Sequence, residues 1–134
     1  MPEIRVKEAA ALLGVSDDTV RRWIDSGVLA AHKDDTGRKV IAGDVLAAFV
    51  REQATPPTDP TGASSSARNR LVGLVTKVTS DRVMSEVEMQ CGPFTVVSLM
   101  STASAQQLGL EPGALAVAVV KATNVVVETP GGTS

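Results

Sequence analysis

The chain of 134 residues carries 13 basic and 15 acidic side chains, one cysteine, one tryptophan, two phenylalanines and no tyrosine. This length predicts one domain or two very small ones, and small domains bury so little surface that oligomerisation is expected. The longest apolar run, residues 114–120, is far shorter than the roughly 20 residues of a membrane span. The opening residues predict no secretory signal, and the lone Cys91 argues against a disulfide or a structural metal site, so we expect a cytoplasmic protein without a membrane partner.

A stretch rich in proline, serine and threonine, QATPPTDPTGASSSA at residues 53–67, interrupts the chain. It offers no large apolar side chain, and this composition is typical of a linker. Apolar residues recur at helical spacing before it and cluster in short β-branched runs after it. We therefore predict two small domains, at residues 1–52 and 66–129, with a flexible linker at residues 53–65 and a disordered tail at residues 130–134.

The first domain is predicted to be mainly helical. A short amphipathic helix from Val6 ends at Gly14, and Ser16 is a preferred N-cap for a second helix. The polar face of that second helix suits the major groove and its phosphates, although it could equally be a solvated face, and it carries Thr19, Arg21, Arg22 and Asp25. Strands at residues 29–33 and 38–41, joined by a turn with Gly37, and a helix at residues 43–52 follow.

The pattern VxxAAxLLGVSxxTVRRWIxSGxL, the basic turn and the closing IAGDVLAAF resemble the winged helix-turn-helix of the MerR and excisionase-like families. The resemblance covers residues 3–50. It implies that DNA is contacted by Ser16, Thr19, Arg21 and Arg22 on the recognition helix and by Arg38 and Lys39 on the wing. Two features depart from the family: Asp17 and Asp18 stand at the helix end nearest DNA, and a proline-rich linker replaces the usual long dimerisation helix.

The second domain is predicted to be an all-β, OB-like barrel with one short helix. Its five strands are expected at residues 71–79, 83–91, 94–100, 114–120 and 125–127, with the helix at residues 101–109. Hydroxyls at the helix start, on Ser101, Thr102 and Ser104, could join the charges of Arg68 and Lys121 in an anion site, or could only cap the helix.

Three segments in order, SARNRLVG at residues 66–73, STAS with LGLEPG at residues 101–113, and VVKATNV at residues 119–125, are similar to the Mop-type TOBE domain of molbindins. The resemblance implies molybdate or tungstate as the ligand, bound between subunits of a homo-oligomer, a dimer or a hexamer. Metal would enter only as the oxyanion, with no other cofactor. The implied oxyanion contacts are Ser66, Ala67, Arg68, Ser101, Ser104, Lys121 and Ala122.

Together these patterns predict a transcription regulator that binds DNA and responds to molybdate or tungstate, and no arrangement typical of an enzyme is present in the sequence. Two other interpretations stay open. The chain could store or buffer molybdate, with its helix-turn-helix as a tether or interaction module. Alternatively, it could be an architectural DNA-binding protein whose barrel only assembles subunits.

Overall fold

The computed structural model describes residues 2–131 and consists of two compact units, Met1–Thr55 and Pro56–Ser134. Residues 132–134, which hold most of the predicted tail, lie outside the described residues. Within residues 2–131, no helix is both long enough and apolar enough to cross a membrane.

The N-terminal unit packs three helices around a small sheet. Its elements are β1 (Glu3–Arg5), α1 (Val6–Leu13), α2 (Asp17–Asp25), β2 (His32–Lys33), β3 (Lys39–Ala42) and α3 (Gly43–Gln53). Strand β3 lies between β1 and β2, and both pairings are antiparallel. The predicted helices and hairpin are confirmed, while β1 was not predicted because three residues are too few to display an alternating pattern.

All the helices of this unit contribute to one core. Its buried members are Val6, Ala9, Ala10, Val20, Leu29, Ile41, Leu46 and Phe49. The rings of Trp23 and Phe49 meet with centroids 5.0 Å apart at an angle of 56°, a favourable tilted arrangement. The core is therefore closed by elements of the unit itself.

The C-terminal unit is a curled antiparallel sheet of four strands with one short helix, which confirms the predicted all-β fold class. Its elements are β4 (Asn69–Ser80), β5 (Met84–Cys91), β6 (Phe94–Ser101), α4 (Thr102–Gln107), β7 (Leu115–Val120) and a 3₁₀ turn (Ala122–Asn124). The strand order is β6-β5-β4-β7, which leaves β6 and β7 as the two edges.

The predicted fifth strand at residues 125–127 is wrong. These residues form no strand, and the side chains of Val126 and Val127 are 86% and 82% exposed. A β-branched triplet favours an extended conformation, but a strand also needs a neighbouring edge to pair with, and this single chain does not bring one to these residues.

Gly73 is required by close approach of two strands rather than by a turn. A Cβ atom added there would overlap the carbonyl oxygen of Gln90 and lie 2.7 Å from Sγ of Cys91. Both atoms belong to β5, which pairs with β4. The glycine of the SARNRLVG segment therefore lets β4 and β5 approach over the core formed by Val75, Val87, Met89 and Cys91.

Candidate anion site and nucleic-acid interface

The recognition helix α2 begins with a hydroxyl cap. Oγ of Ser16 accepts a hydrogen bond of 3.1 Å from the backbone N–H of Thr19 and lies 3.0 Å from its hydroxyl. Nη2 of Arg22 donates to Oγ1 of Thr19 at 3.1 Å, so the structure brings these three predicted DNA contacts together. Arg21 extends from the same helix, with Nη1 3.5 Å from Oδ1 of Asp18.

The wing turn between β2 and β3 is held by one carboxylate. Oδ1 of Asp34 accepts hydrogen bonds from the hydroxyl and N–H of Thr36 and from the N–H of Arg38. These donors, led by the Thr36 hydroxyl, hold the pKa of Asp34 below its ordinary value. Gly37 completes the turn with φ of +82°, a conformation that favours glycine.

Lys39 connects the wing to the recognition helix. Its Nζ lies 3.7 Å from Oδ1 of Asp25 at the end of α2. Arg38, one residue earlier, is exposed, and no ion pair within residues 2–131 involves it. All six predicted DNA contacts therefore lie on the outside of one closed domain, on its recognition helix and its wing.

The charged members of the predicted oxyanion site lie at the same end of the sheet. Asn69 pairs with Val120 at the last register position of β4 and β7, and Nδ2 of Asn69 donates to the Val120 carbonyl at 3.1 Å. Arg68 directly precedes Asn69 and Lys121 directly follows Val120, so in an antiparallel pairing both lie at this end of the sheet. Both side chains are exposed, and no ion pair within the described residues uses either one.

Three further predicted contacts flank these two charges in the chain: Ser66, Ala67 and Ala122. The side chain of Ala67 is buried, and its N–H donates to Oγ of Ser65 at 3.1 Å. Ser66 is exposed beside it. Ala122 begins the 3₁₀ turn that follows Lys121. We call this group, Ser66, Ala67, Arg68, Lys121 and Ala122, the charged half-site.

The hydroxyl members lie at the start of α4. Oγ of Ser101 accepts from the N–H of Ser104 at 3.1 Å, and the two hydroxyls are 2.8 Å apart. Thr102, the third hydroxyl considered above, points elsewhere: its Oγ1 lies 3.0 Å from Oγ of the fully buried Ser85 and donates to the Asp81 carbonyl. We call Ser101 and Ser104 the hydroxyl half-site.

The two half-sites lie at opposite ends of the sheet in one chain. Ser101 of the hydroxyl half-site pairs with Met84, which lies next to the last residue of β4, Ser80. Lys121 of the charged half-site instead follows Val120, the partner of the first residue of β4. Strand β4 has 12 residues, and the steps from its first residue to its last correspond to about 36 Å of strand at about 3.3 Å per residue. The structure therefore brings the predicted oxyanion residues together in two groups and not in one.

An apolar groove opens between the two edge strands. Its volume is about 440 Å³, and its lining includes Val96 and Met100 of β6, Ala116 and Ala118 of β7, and Leu110. A sheet that leaves an apolar face and two edges uncovered presents the surface that oligomeric proteins bury between chains.

Sequence reasoning missed one ion pair next to the charged half-site. Nε of Arg70 donates to Oδ2 of Asp59 at 2.7 Å, and Nη2 of Arg70 donates to Oγ1 of Thr61 at 2.8 Å. The arginine and the Thr61 donors hold the pKa of Asp59 well below its usual range. Asp59 lies within the predicted flexible linker. The sequence offers no indication of this ion pair beyond the presence of an arginine eleven positions after the aspartate.

Known families match both units of the chain. A helix-turn-helix domain model matches residues 4–54, and a TOBE domain model matches residues 65–127. "Molybdenum-pterin-binding protein 2" of Clostridium pasteurianum is 38% identical over 65 residues, which are 48% of this chain and 96% of that protein. The chain belongs to the molbindin family of TOBE-domain proteins. It differs from this short relative in carrying a helix-turn-helix domain ahead of the molbindin domain.

Solved structures are also similar to this chain. The structure of MopII from Clostridium pasteurianum is 37% identical, matching 49% of this chain and 100% of its own, with a TM-score of 0.46. A molybdate-bound form of the cytoplasmic molybdate-binding protein ModG is 36% identical with a TM-score of 0.50. That match covers 57% of this chain and 55% of ModG, so this molbindin chain spans about half of that relative.

Proposed function

We propose that this molbindin is a DNA-binding regulator that binds molybdate or tungstate between its subunits and acts in the cytoplasm, without catalysis. The observation that carries the proposal is the position of Arg68 and Lys121 next to the Asn69–Val120 pair at one end of the sheet, where neither cation forms an ion pair among the described residues. Both residues lie within the TOBE domain match at residues 65–127, and the chain is similar to relatives described as molybdate-binding or molybdenum-pterin-binding.

The chemistry of the donors fits an oxyanion. Molybdate is a tetrahedral dianion whose oxygens accept hydrogen bonds and never donate them. Arg68 and Lys121 supply positive charge and donors, while the hydroxyls of Ser101 and Ser104 supply directed donors. Sulfate has the same charge in a smaller frame, so the size of the cavity would have to discriminate between them, and tungstate should bind much as molybdate does.

Assembly of the site requires a second chain. The charged and hydroxyl half-sites lie at opposite ends of β4, so one tetrahedral anion a few ångströms wide contacts both only when another subunit supplies one of them. The apolar groove and the uncovered edges β6 and β7 offer the surface for that subunit. We therefore propose a homo-oligomer, a dimer or a hexamer, with each anion bound across an interface.

The N-terminal domain supports DNA as the second partner. The structure orients the Ser16, Thr19 and Arg22 group on α2 and leaves Arg38 exposed on the wing. A recognition helix placed in the major groove with a basic wing on the backbone is a common mode of DNA binding. Arg21 is paired with Asp18, and Lys39 is paired with Asp25. Both ion pairs would have to break before these cations could bind DNA phosphates.

Storage of molybdate is the second candidate. It is favoured by the match to a molbindin that consists of little more than the C-terminal domain, so this domain exists without a helix-turn-helix. In that case the N-terminal domain would act as a tether or an interaction module and would have no operator.

Calorimetry on the full chain with molybdate, tungstate and sulfate, run beside a DNA-binding assay, tests the proposal. We expect molybdate and tungstate to bind more tightly than sulfate, and Arg68→Ala or Lys121→Ala to weaken binding by about 1.5–3 kcal/mol, the range for hydrogen bonds to charged groups. Anion binding without any sequence-preferring DNA binding would favour storage. DNA binding without anion binding would favour the architectural interpretation, and binding of neither would contradict both proposals.

A further inference from the structure

The segment that leads into the charged half-site is fastened to the sheet at both of its ends. At one end Arg70 holds the side chains of Asp59 and Thr61, which precede it by eleven and nine positions. At the other end β4 begins with Asn69, whose side chain is bonded to β7. Ser66, Ala67 and Arg68 lie between these two attachments.

The attachment through Arg70 is well made. Oδ1 of Asp59 accepts from both the N–H and the hydroxyl of Thr61, so Asp59 and Thr61 form one unit that meets the guanidinium with two oxygens. The side chains of Arg70 and Asp59 are only 23% and 33% exposed, which sets this pair apart from the exposed ion pairs of the N-terminal domain. Partly desolvated, charge-assisted hydrogen bonds of this kind are stronger than exposed ones.

We propose that Asp59, Thr61 and Arg70 are positioning residues that preorganise the segment carrying Ser66, Ala67 and Arg68 for the oxyanion. This inference rests on the proposed function. With the attachment in place, the segment is a short closed loop that has already lost much of its conformational freedom. Without it, everything before Asn69 is part of a free linker, and the anion must order that linker when it binds.

Asp59→Asn separates positioning from simple electrostatics because the two effects have opposite signs. The substitution removes the negative charge that pairs with Arg70, two residues after Arg68, and so leaves the positive charge of Arg70 without its partner. Electrostatics alone therefore predicts tighter binding of a dianion by the variant. Loss of preorganisation predicts weaker binding, by roughly five- to twentyfold if one or two ordered side chains become mobile.

The test measures molybdate affinity by calorimetry on the full-length wild type, Asp59→Asn, Arg68→Met and, as a control, Glu52→Gln, which removes the same charge from an exposed position at the end of α3. A second readout is the rate at which trypsin cuts after Arg68 in the protein without anion. We expect Asp59→Asn to bind at least about fivefold more weakly and to be cut at least about threefold faster, with an unchanged unfolding temperature of the sheet. Glu52→Gln should match the wild type in both readouts.

Each other outcome is decisive. Equal or tighter molybdate binding by Asp59→Asn would overturn the positioning role, and so would weaker binding without faster cleavage after Arg68. If that happens while Arg68→Met weakens binding at least about tenfold, the proposed function stands and only this inference fails. If the wild type does not bind molybdate, or Arg68→Met binds it normally, the proposed function fails and the positioning role falls with it.

Discussion

The two domains differ in how completely they bury their own apolar surface. Among the described residues, three large apolar side chains are exposed in the N-terminal domain, and twelve are exposed in the C-terminal domain. The N-terminal core is closed by its own helices, whereas the C-terminal sheet leaves β6, β7 and the groove between them uncovered. This difference is expected if, as we propose, the first domain folds as a single copy and the second is completed by another chain.

The same difference holds for the candidate sites. The predicted DNA contacts are gathered on one helix and one turn of a single domain, while the predicted oxyanion contacts are divided between two ends of a sheet. Under the proposed function, the anion therefore reports on assembly, whereas one copy of the N-terminal domain carries all the predicted DNA contacts.

The largest expected effect comes from disrupting the closed core of the N-terminal domain. Ile41 is fully buried, so Ile41→Ala should destabilise this domain by about 2–5 kcal/mol through lost burial and a residual cavity. Thermal unfolding of the full chain should show the N-terminal transition shifted at every protein concentration and the C-terminal transition unchanged. The control is Leu12→Ala, whose side chain is 70% exposed and should change stability by less than about 0.5 kcal/mol. Equal losses of stability in the two variants would contradict the placement of Ile41 in the core.

A second prediction concerns the uncovered sheet. Leu99 of β6 is 68% exposed in the single chain, and Leu99→Ser should weaken self-association by about ten- to a hundredfold if an interface buries this side chain. Sedimentation across a range of concentrations measures the effect, and the unfolding temperature of the wild type should rise with concentration. A wild type that stays monomeric at all concentrations would contradict the proposal that a second chain covers this sheet.

The proposed DNA-binding surface provides a smaller, finer contrast between helix and wing. Arg38→Ala should weaken binding to all sequences alike and reduce the slope of log affinity against log salt by about 0.9, because one phosphate contact is lost. Arg22→Ala should instead relax the sequence preference, since this side chain lies on the helix expected to face the base edges. Binding isotherms on specific and random DNA at several salt concentrations would separate the two, and identical profiles would show that the roles are wrongly divided.

The smallest expected effect is on the acid stability of the C-terminal domain. The N–H groups of Met84 and Val83 donate to Asp81 and lower its pKa from the ordinary 3.8. A lowered pKa gives stability that is complete above the unfolded value near 3.8 and is lost as the pH falls through the folded value. Asp81→Ala should therefore reduce the C-terminal unfolding temperature at pH 6–7, and the difference from the wild type should shrink below pH 3.8. A difference that stays constant down to pH 2 would contradict this cause.

Local patterns predicted most of the fold. Helical periodicity, the Ser16 cap and the glycine turns were sufficient for α1, α2 and the wing because these features depend on neighbours in the chain. The fifth strand failed for the opposite reason: Val125, Val126 and Val127 have strand propensity, but pairing depends on an edge that one chain does not provide.

The candidate site divides in the same way. Residue types and motif spacing could nominate Arg68, Lys121, Ser101 and Ser104, but only the strand register reveals that they form two groups. The contact between Asp59 and Arg70 could not be predicted, because it joins a linker residue to a strand across eleven positions without any periodic signal. Such contacts depend on the path of the folded chain.

Subunit complementation tests the central claim, that each anion site draws on two chains. Arg68→Glu should destroy the charged half-site and Ser104→Glu the hydroxyl half-site, so each variant alone should bind no molybdate. Co-expressed and purified as mixed oligomers, the two variants should regain about a quarter of the wild-type sites, because random pairing brings an intact half from each chain together at one site in four. If mixed oligomers form and bind no molybdate, the site lies within one chain and the account is wrong.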